Sequence, residues 1–224
     1  TIAAGATSGT ASMAAPADDV YVDGSTENVT ITGATGGNFE NLVIDTTAAT
    51  TTITDTIGDT TVSLAATGSV DEGGSITYTA TVDKAPQGDV TVTLQDGTTI
   101  TILDGQLTGS ATVSAPADDA VIDAGSVSNS IASVSGGNFE NVVNANDASN
   151  PVNTTITDTV DTTTVSLAAD ASIAEGGSIL YTATVDNPTD TDMTVSLSNG
   201  ATITIAAGAT SGTVSIGAPA DDVY

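Results

Sequence analysis

Residues 76–82 read ITYTATV, and they decide the fold because apolar and polar side chains alternate along the whole stretch. In an extended strand such alternation places the apolar residues on one face and the threonines on the other. Similar alternation recurs along the chain, at 60–64, 90–94, 100–102, 111–113 and 154–157. Threonine, valine and isoleucine favour strands, and no stretch has the 3.6-residue period of an amphipathic helix. The sequence therefore predicts an all-β chain.

Turn signals separate these segments and set the length of a domain. Glycine and proline mark turns at 72–74, 85–88, 96–97 and 104–105. About seven short strands within roughly 100 residues are typical of an immunoglobulin-like β-sandwich. The predicted fold is therefore a row of tandem Ig-like β-sandwich domains of about seven antiparallel strands, joined end to end. The large core residues are predicted to be Phe39, Phe139, Tyr78 and Tyr181.

Internal repeats give the domain boundaries. Five strings recur at offsets of 100 or 103 residues, or at their sum of 203: TIAAGATSGT (1–10, 204–213), APADD (15–19, 115–119, 218–222), GGNFEN (36–41, 136–141), TTITDT (51–56, 154–159) and EGGSI (72–76, 175–179). We therefore predict a complete Ig-like repeat at 58–160. Residues 1–57 are predicted to be the C-terminal half of one repeat, and residues 161–224 the N-terminal half of another.

A half-repeat leaves a sheet edge and a core face without a neighbour, which is unfavourable. We therefore expect residues 161–224 of one molecule to complete residues 1–57 of the next, as a head-to-tail contact between molecules. Within the chain, the expected partners are the neighbouring repeats.

The charge excludes several classes of function. The chain has 28 acidic residues against one basic residue, Lys84, and a net charge of -27. Such a surface repels nucleic acid and anionic membranes. Without cysteine or histidine, disulfides and zinc, copper or haem sites are not expected, whereas oxygen ligands suit Ca²⁺ or Mg²⁺. We expect no membrane insertion, because no apolar run reaches 18 residues, and no signal peptide, because Thr1 opens in mid-pattern.

Acidic residues recur in the predicted loops, next to glycines that allow close backbone approach. We interpret the recurrent acids as Ca²⁺ ligands, since Ca²⁺ takes 6–8 oxygens and would turn their mutual repulsion into coordination. The alternative is that they only solubilise the surface, or that Asp118 or Asp119 forms an Asx turn. The candidate ligands are Asp18, Asp19, Asp55, Asp59, Glu72, Asp118, Asp119, Asp123, Glu140, Asp158, Asp161 and Glu175.

An enzyme is not expected. No histidine, cysteine or arginine is present to act as base, nucleophile or oxyanion clamp, and a glycosidase with paired carboxylates would need sugar-stacking aromatics. An Ig-like carbohydrate- or protein-binding module is the alternative to a structural role. It would require an exposed aromatic or apolar patch with a pocket.

The strings VDEGGSITYTATV (70–82), TITDT, GGNFEN and APADD followed by VID or YVD resemble the tandem Ig-like repeats of large bacterial surface adhesins. These include biofilm adhesins of pseudomonads and the extender region of a marine ice-binding adhesin. The resemblance implies a type I-secreted (RTX) adhesin at the bacterial cell surface, anchored in the outer membrane through other regions. It also implies that these repeats form an extender, a Ca²⁺-rigidified spacer that projects distal adhesive domains for cell adhesion and biofilm formation.

The resemblance further implies where the calcium ions sit, because those of the family lie at domain junctions and within domains. It places Asp55, Asp59 and Glu72 at one junction, and Asp158, Asp161 and Glu175 at the next. The loop acids Asp118, Asp119, Asp123 and Glu140 would then be auxiliary ligands.

Overall fold

The computed structural model describes residues 1–220, and these residues form strands and loops without a helix. The chain is thus all-β, in an arrangement consistent with Ig-like sandwiches. The strands are β1 (Ser25–Val29), β2 (Ala49–Ile53), β3 (Asp59–Ala66), β4 (Ser69–Asp71), β5 (Ser75–Val82), β6 (Val90–Leu94), β7 (Thr99–Ile102), β8 (Thr108–Ser114), β9 (Gly125–Asn129), β10 (Ile131–Gly136), β11 (Asn141–Asn144), β12 (Val152–Thr157), β13 (Val165–Ala169), β14 (Ser178–Val185), β15 (Met193–Ser196), β16 (Thr202–Ile205) and β17 (Ser211–Gly217). Residues 221–224, the last four of the chain, lie outside the described residues. They include Asp221 and Asp222 of the third APADD copy.

The strands from β3 to β12 form three sheets, with the orders β11-β3-β5-β8, β10-β6-β7 and β4-β12-β9. In β3, β5, β6 and β7 side chains alternate in burial, as in β5, where Tyr78 and Ala80 are at most 1% exposed. Val92 and Ile100 are fully buried on β6 and β7. Because burying a valine or isoleucine side chain contributes about 1.5–3 kcal/mol, this alternation supplies the stability of the fold.

This part of the chain has more strands than the predicted seven. The three additional strands are the short β4, strand β11, and one that arises because residues 125–136 split into β9 and β10. The split occurs at Asn129 and Ser130, which are buried, and the pairing of β10 with β6 shifts register between Ile131 and Ser133. A bulge of this kind bends a strand and interrupts its pairing.

Contacts divide the chain into two compact units. The first comprises residues 1–67, 77–113 and 128–153, and the second comprises residues 68–76, 114–127 and 154–224. The predicted repeat boundaries at 57/58 and 160/161 stay a prediction. In the second unit, β14 pairs with β13 and β17 and β15 pairs with β16, over a small core of Ala183, Val185, Ile203 and Ile205.

The aromatic residues differ in burial from one copy to the next. Tyr78 is 1% exposed and Tyr181 and Phe139 are half-buried, but Phe39 is 69% exposed. The prediction that Phe39 belongs to a core is therefore wrong. In residues 1–57 only β1 and β2 form a sheet, and nearly all side chains there are exposed, so no packed face covers this ring.

Candidate metal centre

A parallel strand pair brings together acids that are far apart in the sequence. Strand β4 runs beside β12 with Asp71 opposite Thr157, and the Glu72 N–H donates to the Thr157 carbonyl at 3.1 Å. Glu72 follows β4 and Asp158 follows β12 directly. The register of this pair therefore places the two carboxylates at the same end of the sheet.

The Glu72-Gly73-Gly74 turn then attaches to the APADD segment. Gly73 N–H donates to the Pro116 carbonyl at 2.6 Å, and Ala115 N–H donates to the Gly74 carbonyl at 2.9 Å. Gly73 has a φ of +68°, and a Cβ at Gly74 would lie 2.8 Å from the Asp71 carbonyl oxygen. Both glycines are therefore required for the turn that sets Glu72 in place.

Three carboxylates meet at this end of the sheet. Oxygens of Glu72, Asp123 and Asp158 all lie within 4.8 Å of one another. Glu72 is only 7% exposed, and Glu72 Oε2 and Asp158 Oδ1 are buried atoms without a hydrogen-bond partner. Two ionised carboxylates cannot donate to each other, so this group leaves buried negative charge uncompensated.

The electrostatics of Glu72 reflect this crowding. A hydrogen bond with Asp123, which Glu72 can make only in its protonated form, raises the pKa of Glu72 to about 7. Burial and the charges of Asp123, Asp158 and Asp119 act in the same direction. The site thus favours a positive partner, whether a proton or a cation, on the buried Oε2 of Glu72.

The donor set fits a hard divalent cation. All three groups are carboxylates, and Ca²⁺ prefers oxygen ligands and tolerates irregular geometry. The buried Glu72 Oε2 without a partner is the observation that supports the fit, because a cation would satisfy it directly. Lys84, the single basic residue of the chain, is exposed in a turn of the first compact unit.

A second acidic group lies in the first compact unit. Glu140 Oε2 accepts a hydrogen bond from Gly58 N–H, which lowers the pKa of Glu140, but burial and the carboxylates of Asp55 and Asp18 outweigh this and raise it. Asp55 Oδ2 also accepts from the Asp23 N–H at 3.0 Å. Glu140 Oε1 is buried without a partner. This group is more exposed than the first, since Asp18, Asp23 and Asp55 are open to solvent.

Comparison with known proteins adds the family. A LapA domain model matches residues 1–56, 58–159 and 161–224. The chain belongs to the LapA domain family. LapA is a large adhesin of biofilm formation, which makes this chain part of a cell-surface adhesin. No curated protein matches the sequence. No helix in residues 1–220 is long and apolar enough to cross a membrane.

The LapA repeats group the predicted ligands differently from the expected junctions. Glu72 lies with Asp123 and Asp158, although the expectation placed Asp158 at the other junction. The expectation grouped acids that are close in the sequence across a predicted boundary, whereas the parallel pairing of β4 with β12 joins segments 86 residues apart. Asp55 lies instead with Glu140.

The other predicted residues lie around the two groups or apart from them. Asp118 accepts from the Thr159 hydroxyl and Asp18 from the Thr56 hydroxyl. Asp119 and Asp19 each accept from the N–H two residues later, at 2.7 and 2.8 Å, as in Asx turns. Asp59 accepts from Asn141 Nδ2 at 2.7 Å.

Two predicted ligands belong to neither acidic group found in residues 1–220. Asp161 and Glu175 are exposed, and the structure places neither in an acidic group. Glu175 lies in a turn equivalent to that of Glu72. Gly176 N–H donates to the Pro219 carbonyl at 2.8 Å, as Gly73 N–H donates to the Pro116 carbonyl. Its expected companions in the third APADD copy, Asp221 and Asp222, are outside the described residues.

The sequence reasoning missed Asp23. Its pKa is raised, first by the charge of Asp19 and then by burial and by Asp55, which places it inside the second acidic group. The signal was available, since Asp23 is the copy of Asp123 at an offset of 100 residues.

Proposed function

We propose that this LapA segment is a structural extender, a Ca²⁺-rigidified spacer that projects the distal adhesive domains of a bacterial adhesin. The observation that carries the proposal is the buried Glu72 carboxylate, which faces Asp123 and Asp158 and has an oxygen without a hydrogen-bond partner. A purely structural sandwich gains nothing from such a group, because an unpaired buried carboxylate destabilises the fold.

Glu72, Asp123 and Asp158 would hold the ion. When bound, Ca²⁺ supplies positive charge at a point where three carboxylates otherwise repel one another. The chain itself fixes the positions of the ligands: β4 and β12 align Glu72 with Asp158, and the hydrogen bond from Gly73 to Pro116 attaches the APADD loop. Ion binding would therefore connect the loop, the turn and the last strand of one repeat.

We further propose that the adhesin is secreted by a type I (RTX) route and anchored in the outer membrane through other regions. Extracellular modules bind Ca²⁺ with a Kd of about 10⁻⁴–10⁻³ M. At the low calcium concentration inside a cell, such sites are empty and their carboxylates repel one another. Such repeats would fold fully only after export, which suits passage through a narrow channel.

The experiment that tests the proposal is thermal unfolding with small-angle scattering, in Ca²⁺ and in EDTA. We expect a higher Tm and a longer, stiffer particle in Ca²⁺. Glu72→Gln should remove most of the calcium-dependent rise in Tm. Glu40→Gln, an exposed acid outside both groups, should leave it unchanged. Identical Tm values and scattering profiles in Ca²⁺ and EDTA would contradict the proposal.

We also propose that half-repeats of two molecules complement each other head to tail. In the 58–160 repeat, β11 lies parallel to β3 with Val143 opposite Thr61, and Leu64 on β3 is 6% exposed. Strand β13 is the copy of β3, but it is an edge strand, and its Leu167 is 53% exposed. Residues 41–44, the copy of β11, form no strand and are mostly exposed.

The occupant of the β13 edge in this proposal is therefore residues 41–44 of a second copy. Addition of a strand to an exposed edge is a common mode of recognition, since backbone hydrogen bonds give affinity and alternate side chains give specificity. Here the chain contains both the edge and the strand that covers the equivalent edge.

A further inference from the structure

An extended segment that follows the first APADD copy lies across the GGNFEN turn of residues 136–141. Val22 N–H donates to the Asn138 carbonyl at 3.1 Å, and Glu140 N–H donates to the Val20 carbonyl at 3.0 Å. Tyr21 and Phe139 form an antiparallel bridge between these two hydrogen bonds. We call this arrangement, residues 20–22 on residues 138–140, the clasp. All of it lies within the first compact unit.

Side chains reinforce the clasp. The rings of Tyr21 and Phe139 stack with centroids 5.9 Å apart and planes 23° from parallel. The Tyr21 hydroxyl donates to the Ala85 carbonyl in the loop between β5 and β6. Tyr21 therefore contacts two separate loops of the 58–160 repeat, and it does so without a charged group.

The turn is held in shape from its other side. Gln87 N–H donates to the Gly137 carbonyl at 3.0 Å, and Asn138 Nδ2 donates to Gln87 Oε1 at 3.0 Å. Asn138 has a φ of 56°, a left-handed conformation that asparagine tolerates better than most residues. These contacts orient the Asn138 carbonyl and the Glu140 N–H that receive the segment.

The other copies of the two parts show what each looks like alone. Asn38 in the first GGNFEN copy has nearly the same φ, 53°, although Phe39 beside it is 69% exposed. In the segment after the second APADD copy, Ile122 is 90% exposed. The turn thus keeps its backbone shape when its ring is uncovered, so it is formed before the segment arrives.

We propose that the GGNFEN turn is a preformed docking site for the extended segment that follows APADD in a neighbouring LapA repeat. The backbone bridge provides the docking, and the stacked Tyr21–Phe139 pair sets its strength independently of metal. The second copy has Val121 in place of Tyr21, so joints with tyrosine hold more tightly than joints with valine. This inference goes beyond the calcium centre, because backbone groups and two aromatic rings make the bridge across the clasp.

The test is amide hydrogen exchange of the complete 224-residue chain in EDTA. Tyr21→Val and Phe139→Leu should each lower the protection of the Val22 and Glu140 amides. An aromatic pair changes the ratio of docked to undocked forms by roughly 2- to 12-fold. The matched control is Phe39→Leu, which alters the same motif where the ring is exposed, and it should change neither amide.

Further measurements keep the two proposals separate. The Leu94 amide, which donates to the Thr98 carbonyl outside the clasp, should keep its protection in Tyr21→Val and so show that the fold is intact. Glu72→Gln should leave the clasp amides protected. Unchanged protection of Val22 and Glu140 in Tyr21→Val, or complete loss of that protection when calcium is removed from the wild type, would overturn the clasp and leave the calcium proposal to its own test.

Discussion

Exchange of a proton for calcium at Glu72 is the most direct test of the metal centre. With the pKa of Glu72 raised to about 7, its carboxyl is about 0.9 protonated at pH 6, about 0.5 at pH 7 and about 0.1 at pH 8. Because Ca²⁺ binds the ionised form, binding should release that fraction of a proton from Glu72. The same competition should make binding about tenfold weaker at pH 6 than at pH 8.

The folding stability of the metal-free chain changes with pH in the opposite direction to the calcium affinity. The folded state raises the pKa of Glu72 above its ordinary 4.5, so the folded state holds this proton more tightly than the unfolded state. The stability from this group is therefore fully present below about pH 4.5 and is lost as the pH rises through about 7. Calcium should be most stabilising above pH 7, where the metal-free chain is weakest.

Isothermal titration of Ca²⁺ in two buffers of different ionisation enthalpy measures both the affinity and the protons released. Glu72→Gln should lose the pH-dependent release assigned to Glu72 and bind more weakly, while Glu40→Gln should behave as the wild type. The reasoning is refuted if the wild type binds Ca²⁺ with the same affinity at pH 6 and pH 8 and releases no proton.

Three further predictions concern packing and assembly. Ile100→Ala removes a fully buried side chain and should lower the free energy of unfolding, measured in urea, by about 2–5 kcal/mol. The control is Ile122→Ala, at a 90% exposed site. An effect of Ile100→Ala no larger than that of the control would contradict the assigned core. A Cβ at Gly109 would lie 2.2 Å from the Thr101 carbonyl oxygen, so Gly109→Ala should cost about 1–3 kcal/mol, whereas Gly68→Ala has open space and should change stability by less than about 0.5 kcal/mol. Sedimentation should show concentration-dependent oligomers of the wild type, and Leu167→Asp should abolish them. Leu103→Asp is the control and should preserve them, since both leucines are more than half exposed. A wild type that stays monomeric at every concentration would rule out the head-to-tail pairing of half-repeats.

Local patterns predicted the strands well because burial in a sheet follows a period of two. The alternation in residues 76–82 correctly placed Ile76, Tyr78, Ala80 and Val82 on the buried face. The acidic candidates were also found from recurrence in loops. Their grouping was not, because it depends on the pairing of β4 with β12, which joins residues 86 positions apart such as Asp71 and Thr157.

Identical strings also led to different environments. Phe39 and Phe139 lie in two copies of the hexapeptide GGNFEN. The ring of Phe39 is 69% exposed, whereas the ring of Phe139 stacks on Tyr21. The local sequence determines the turn geometry, which Asn38 and Asn138 share. It does not determine whether a distant residue such as Tyr21 covers the ring. The prediction of a core residue therefore failed at Phe39, where tertiary contact decides burial.

Glu140 belongs to both the clasp and the second acidic group: its N–H donates to the Val20 carbonyl, while its Oε2 accepts from Gly58. Docking of residues 20–22 therefore brings Asp18 toward Glu140 before any ion binds, and the repulsion between the two carboxylates opposes it. A cation that relieves this repulsion would strengthen a joint that backbone and aromatic contacts already orient. Stiffness would then respond to calcium in degree, while the orientation of the joint would be set by the chain itself.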